Sequence, residues 1–242
     1  MGAPRNDDDA PPLLAAEDVC VSLTGRVRVD RVGFRAEAGS VLAVLGPNGA
    51  GKSSLLAALA GVLPHTGTVR VRGQEARTLE ARARSMAWVP DEVVLPDEMS
   101  LGLALGLDAR NPFVETLGLT ALVPARASEV SRGEAKRAQL AAALGSRREV
   151  LLLDEPFGAL DPRQLRELLP VFREATRERA VVVTVHQMRT AELIADRILL
   201  LVGGRPIAHG TLDELRARVE MPGASLDRVF LALLDREAPR AA

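Results

Sequence analysis

Residues 46–53 read Gly46-Pro47-Asn48-Gly49-Ala50-Gly51-Lys52-Ser53, a GxxxxGK[ST] run placed between an apolar stretch and a helical pattern. Few short segments restrict a fold so much. The apolar stretch, 41–45, is bounded by Gly39 and Gly46, as a strand buried on both faces should be. The chain therefore passes from strand to tight loop to helix, the context that separates this motif from a chance glycine-rich turn. Its glycines permit a loop whose backbone N–H groups converge on an anion, and the helix start adds the positive end of its dipole. Lys52 supplies a point charge for β- and γ-phosphates. Ser53, followed by Ser54, offers a hydroxyl to Mg²⁺.

The rest of the chain alternates in period. Strand patterns fall at 15–23, 27–34, 68–72, 86–89, 150–153, 181–185, 198–202 and 205–209, and helical patterns at 52–63, 132–144 and 162–179. Strands alternating with helices imply an α/β fold with a mostly parallel core sheet; together with the phosphate loop at residues 46–53 this reads as a P-loop NTPase fold, with an N-terminal antiparallel β region. Between 91 and 130 the texture changes. Helix-like pieces at 101–107 and 112–119 sit among Pro, Gly and Asn breaks, which reads as a small helical insertion. Residues 1–12, with Asp7-Asp8-Asp9 and three prolines, read as a disordered tail, and 13–242 as one domain.

Composition excludes several classes of function. A formal net charge of −1 provides no field for nucleic acid or anionic lipid. Cys20 stands alone and no Cys/His cluster has metal-ligand spacing, which fits a reducing setting. No stretch approaches the ~18 apolar residues of a membrane span. Of 31 basic residues only Lys52 and Lys136 are lysines, so in an arginine-rich chain these positions suit a compact ammonium.

Further chemistry gathers at strand and helix ends. The stretch 150–155 closes a buried strand with Asp154 and Glu155, at the sheet edge that carries the phosphate loop. Asp154 suits a Mg²⁺ shell and Glu155 the polarising of a water. His186 follows the strand pattern 181–185, within reach of a γ-phosphate. Ser131-Arg132-Gly133-Glu134 has the form of a capping box, and Asp161-Pro162 that of an N-cap with proline at the first helical position. Each of these last two is fully explained by helix capping alone.

Taken in order, phosphate loop, helical insertion, serine-glycine helix start, LLLDE, GALD and strand-histidine resemble the ABC transporter ATPase family, over about residues 14–234. The resemblance implies a composite site, in which residues 46–53 of one subunit hold ATP and Mg²⁺ against Ser131 and Gly133 of another. It makes Asp154 the Walker B acid, Glu155 the catalytic glutamate, Asp161 the D-loop acid and His186 the switch histidine. It implies a homodimer or heterodimer under a separately encoded membrane subunit, on the cytoplasmic face of the cell membrane, with no nucleic acid partner. The core Ser131-Arg132-Gly133 and the segment 225–234 are similar to ATPases of two-subunit exporters, which implies export.

Two positions depart from the family pattern. Asp91, or Glu92, takes the place of the Q-loop glutamine; its carboxylate would approach Mg²⁺ and slow or re-gate hydrolysis. Leu23 stands where an aromatic ring usually stacks on adenine, implying weaker and less base-selective binding. These departures keep a second reading open, a weakly hydrolysing regulatory ATPase. A non-transport ABC ATPase usually has two cassettes or a long coiled-coil insertion, and a GTPase an NKxD sequence; the chain shows none of these.

Overall fold

The computed structural model describes residues 11–92, 94–108 and 110–237, so most of the expected 1–12 tail lies outside the described residues. Two strands open the chain, β1 (Leu14–Leu23) and β2 (Arg26–Ala36), followed by β3 (Val41–Leu45) and helix α1 (Lys52–Leu59). Then come β4 (Thr66–Val71), β5 (Gln74–Glu75), α2 (Leu79–Ser85) and β6 (Met86–Val89). The insertion contributes α3 (Leu101–Leu105), α4 (Phe113–Thr116) and a 3₁₀ turn before α5 (Arg132–Gly145). The second half runs β7 (Val150–Asp154), α6 (Pro162–Thr176), β8 (Ala180–Thr184), α7 (Met188–Ile194), β9 (Arg197–Val202), β10 (Arg205–Gly210), α8 (Leu212–Arg218) and α9 (Leu226–Glu237).

Six strands form the core sheet in the order β10-β9-β3-β8-β7-β6, parallel except for β10 at one edge. The second sheet, β2-β1-β4-β5, is antiparallel. Every residue of β3, β7 and β8 is buried because both faces of the core sheet are covered. Val41, Ala43 and Leu45 point to a layer of α5, α6, α7 and α9, whereas Leu42 and Val44 pack on α1 and the antiparallel sheet. Alternation with period two thus builds two cores from one strand. In the first layer Phe157 meets Phe172 edge-to-face, with centroids 5.4 Å apart.

Helix ends differ from the sequence pattern where capping intervenes. The pattern 52–63 ends at Leu59, because Gly61 adopts φ 81° and the Val62 and Leu63 N–H groups both turn back to the Ala57 carbonyl. The pattern 101–107 stops at Leu105, with Gly106 left-handed at φ 64°. Likewise 112–119 contracts to α4 and 162–179 to α6; Thr176 turns its hydroxyl onto the Phe172 carbonyl at 2.9 Å. Helices α2, α7 and α8 have no counterpart in the sequence reading, each spanning seven residues, too few for a clear period; the twelve-residue α9 lies in a segment read only as family-like, not as a helix.

One of these unforeseen helices braces the phosphate-loop helix. Arg82 of α2 is buried and donates to the Ala58 and Leu59 carbonyls at the end of α1, to Ala76 O at 2.7 Å, and to His65 Nε2 at 3.0 Å. The guanidinium adds donors to the carbonyls at the helix end and sits at the negative end of the helix dipole. Burial pushes its pKa down, though a guanidinium stays charged. Arg82→Met should lower unfolding stability by about 2–3 kcal/mol in urea titrations, against about 0.5 kcal/mol or less for the exposed Arg84→Met.

Candidate functional site

The loop after β3 closes against its neighbours so tightly that glycine is obligatory at two places. A Cβ on Gly51, at φ 97°, would stand 2.1 Å from the Arg28 carbonyl oxygen; one on Gly46, at φ 153°, would stand 2.1 Å from that of Leu201. With Gly51 at the N-cap, α1 has no side-chain cap, so its first N–H groups are not taken by a protein side chain. Lys52 is 7% exposed, and its Nζ donates to the carbonyls of Gly46 at 2.9 Å and Pro47 at 3.3 Å. The ammonium is therefore held inside the loop.

The two acids leave β7 beside the end of β8, where Asp154 pairs in register with Thr184. Thr184 is fully buried. Its hydroxyl donates to Asp154 Oδ1 and accepts the Glu155 N–H at 2.9 Å, tying both acids to one side chain. Glu155 takes φ 49°, a left-handed conformation for a non-glycine residue. Its Oε2 accepts the His186 N–H at 3.0 Å, and Oε1 lies 3.5 Å from His186 Nε2. That Oε1 is buried without a hydrogen-bond partner. Burial pushes the Glu155 carboxyl above its usual range, while His186 and Lys52 draw it part of the way back.

A cavity of about 500 Å³ joins these parts, lined by residues 48–54, Asp91, Glu155, His186, Leu23 and Arg28. Gly46 and Pro47 hold Lys52 from behind, and Asp154 is buried beneath. Asp91 forms an ion pair with Lys136 of α5, whose side chain is 11% exposed. Thus the lone lysine outside the loop clamps the acid that the resemblance sets at the Q-loop position. Ser131, Gly133 and Asp161 do not line the cavity. Ser131 Oγ accepts from the Glu134 N–H at 3.3 Å, and Glu134 Oε2 accepts the Ser131 N–H at 2.9 Å, completing the capping box. Asp161 accepts the Arg163 and Gln164 N–H groups, each at 2.8 Å.

Sequence reasoning missed two residues. Thr184 is a hydroxyl inside an all-apolar strand, a signal that was present but not read; Arg28 carried no signal short of the tertiary contact. Among the described residues no group of three His, Cys, Asp or Glu could hold a metal ion. A cation here would need oxygens from a ligand such as a phosphate chain, as Mg²⁺ commonly does. The unpartnered Glu155 Oε1, the uncapped helix start and the buried ammonium together fit a polyphosphate with its cation.

The sequence pattern of the family described as ABC transporter matches residues 29–158. A hemin import ATP-binding protein of Streptomyces coelicolor is 37% identical, the alignment covering 85% of this chain and 80% of that one. A phosphonates import ATP-binding protein of Hyphomonas neptunium is 31% identical over 90% and 94% of the two chains. A solved structure of an ATP binding subunit of an ABC transporter superposes with a TM-score of 0.83 at 28% identity, covering 92% of this chain and 99% of the other.

The raised Glu155 carboxyl has a thermodynamic consequence. A folded chain that holds this proton to higher pH than the unfolded one has a contribution present below the unfolded pKa and lost as pH rises through the folded value. Without nucleotide, Glu155→Gln should therefore melt higher than the unsubstituted protein at about pH 8, the gain shrinking towards about pH 4. Thermal melts across pH check it; a variant less stable at pH 8 would contradict the burial argument.

Proposed function

This chain belongs to the ABC transporter family and is an ATP-binding, ATP-hydrolysing subunit of that kind, and we propose that residues 13–242 act as one motor domain beneath a separate membrane partner. The carrying observation is Glu155, whose Oε1 is buried without a hydrogen-bond partner, lining the same cavity as Lys52 and the glycine loop. In this reading the loop N–H groups and Lys52 bind and orient the phosphates of ATP. Glu155 accepts a proton from the attacking water, its burial raising its basicity and His186 holding its orientation. Ser53 and Asp154 would hold Mg²⁺, which when bound neutralises developing charge on the phosphates.

Ser131, Gly133 and Asp161 take no part in the cavity of their own chain, yet Ser131 and Asp161 begin helices at exposed positions. That arrangement supports a second copy, or a related subunit, closing the site from above. Among the described residues no helix is long and apolar enough to cross a membrane; the family likeness supports a membrane partner with the motor on its cytoplasmic side. The Asp91–Lys136 pair is one reason for slower turnover, since the carboxylate must be released before it can face Mg²⁺.

For direction, the Ser131-Arg132-Gly133 core and the segment 225–234 support export. The hemin and phosphonate relatives are import subunits, and that likeness supports a second reading, import. Purifying the tagged chain with its membrane partner separates them. An importer complex depends on a solute-delivering partner outside the cell, whereas an exporter accumulates cargo in inside-out vesicles supplied with ATP.

Glu155→Gln should lower turnover by about 10²–10⁴-fold while retaining ATP, and should accumulate as an ATP-bound dimer in light scattering. Lys52→Ala should lose nucleotide binding or hydrolysis altogether. A Glu155→Gln protein that stays monomeric in saturating ATP-Mg²⁺ would sink the shared-site reading.

A further inference from the structure

The cavity is also bounded by the antiparallel sheet. Leu23 lines it from β1 and Arg28 from β2, and none of the five phenylalanines nor Trp88 lines it at all. A nucleotide whose phosphates lie in the glycine loop needs something flat and apolar, or flat and cationic, against its base. Leucine alone gives contact but no plane.

Arg28 has the geometry for that task. Between the pairs Val21↔Val29 and Ser22↔Val27 the register of β1 and β2 shifts, leaving Arg28 as the extra residue of a β-bulge. Bulges re-aim a side chain out of the regular alternation and bend the strand. The Arg28 carbonyl is pressed against Gly51 and Gly204, fixing the residue to the shoulder of the phosphate loop. The guanidinium is exposed, and among the described residues it makes no ion pair; the nearby Asp30 is already taken by Arg205 at 2.8 Å and Arg31 at 3.3 Å. An arginine left free of carboxylates presents a planar, weakly hydrated cation that stacks on aromatic faces, which a lysine does not.

We propose that Arg28 is the base platform of the nucleotide site, its guanidinium stacking on a purine ring where this chain has no aromatic side chain. The proposal rests on the phosphate-loop reading and names the recognition of the base. A guanidinium plane does not read exocyclic groups, so ATP and GTP bind alike while a pyrimidine nucleotide, with a smaller ring, binds more weakly. Arg28 is a specificity-determining residue, with no role in the chemical step.

Calorimetry on the full chain with Mg²⁺ and ATP, GTP, CTP or inorganic tripolyphosphate tests this. Arg28→Ala should weaken ATP and GTP about tenfold, erase their advantage over CTP and leave tripolyphosphate unchanged. Arg28→Lys should behave like Arg28→Ala, because it keeps the charge and loses the plane, whereas Arg28→Trp should restore purine binding. Full ATP affinity in Arg28→Ala overturns the proposal. So does full affinity in Arg28→Lys, or equal losses of ATP and tripolyphosphate, which would make the residue a phosphate contact. An unsubstituted protein that binds neither ATP nor tripolyphosphate would instead remove the phosphate-loop reading, and this proposal with it. Because Arg28 is exposed, these variants keep the buried core intact.

Discussion

The in-register parallel pairing of β3, β8 and β7 is the constraint on which the rest of the molecule depends. Val44 pairs with Thr184, and Thr184 with Asp154, so three strands end at one level. Their continuations are the glycine loop, His186 and the acid pair, and all reach the same sheet edge. A parallel sheet demands crossover helices on its faces, and those helices together with the antiparallel sheet bury every residue of the central strands. Rigidity below and chemistry above therefore have one cause.

Thr184 shows how this scaffold reaches the site. A hydroxyl at a fully buried strand position is costly unless both its donor and its acceptor are used. Here it donates to Asp154 and accepts from Glu155, and the second bond helps hold Glu155 at its positive φ. The carboxylate that results is buried, lifted above its usual pKa and missing a partner on one oxygen. Burial and a positive φ both cost stability here, and such costs cluster where local strain serves a reaction.

A second tie runs between the two parts of the chain that differ most in texture. Asp91 follows β6 at the margin of the insertion, and Lys136 stands on α5, the helix that begins with Ser131. Their ion pair links the cavity lining to the helix that begins with the capped Ser131. The Lys136 end is shielded and the Asp91 end half-exposed, so the pair is less screened than a surface bridge.

Much of this was legible before any coordinates. The glycine run between a buried strand and a helix determined the loop, because only that context gives convergent N–H groups; β3 and β6 fall where periodicity put them. Asp154, Glu155 and His186 were readable as strand-end residues for the same reason. The seven-residue helices α2, α7 and α8 were not legible, since each carries too little period, and helix ends shifted where Gly61 and Gly106 turned left-handed. What tertiary structure alone decided were the contacts between distant strands: the hydroxyl of Thr184 bridging two acids, Arg82 closing the end of α1, and Arg28 thrown out of register by a bulge. A pattern along one strand records which face a residue takes. The neighbour it meets there depends on how other strands are laid beside it, and that information is not local.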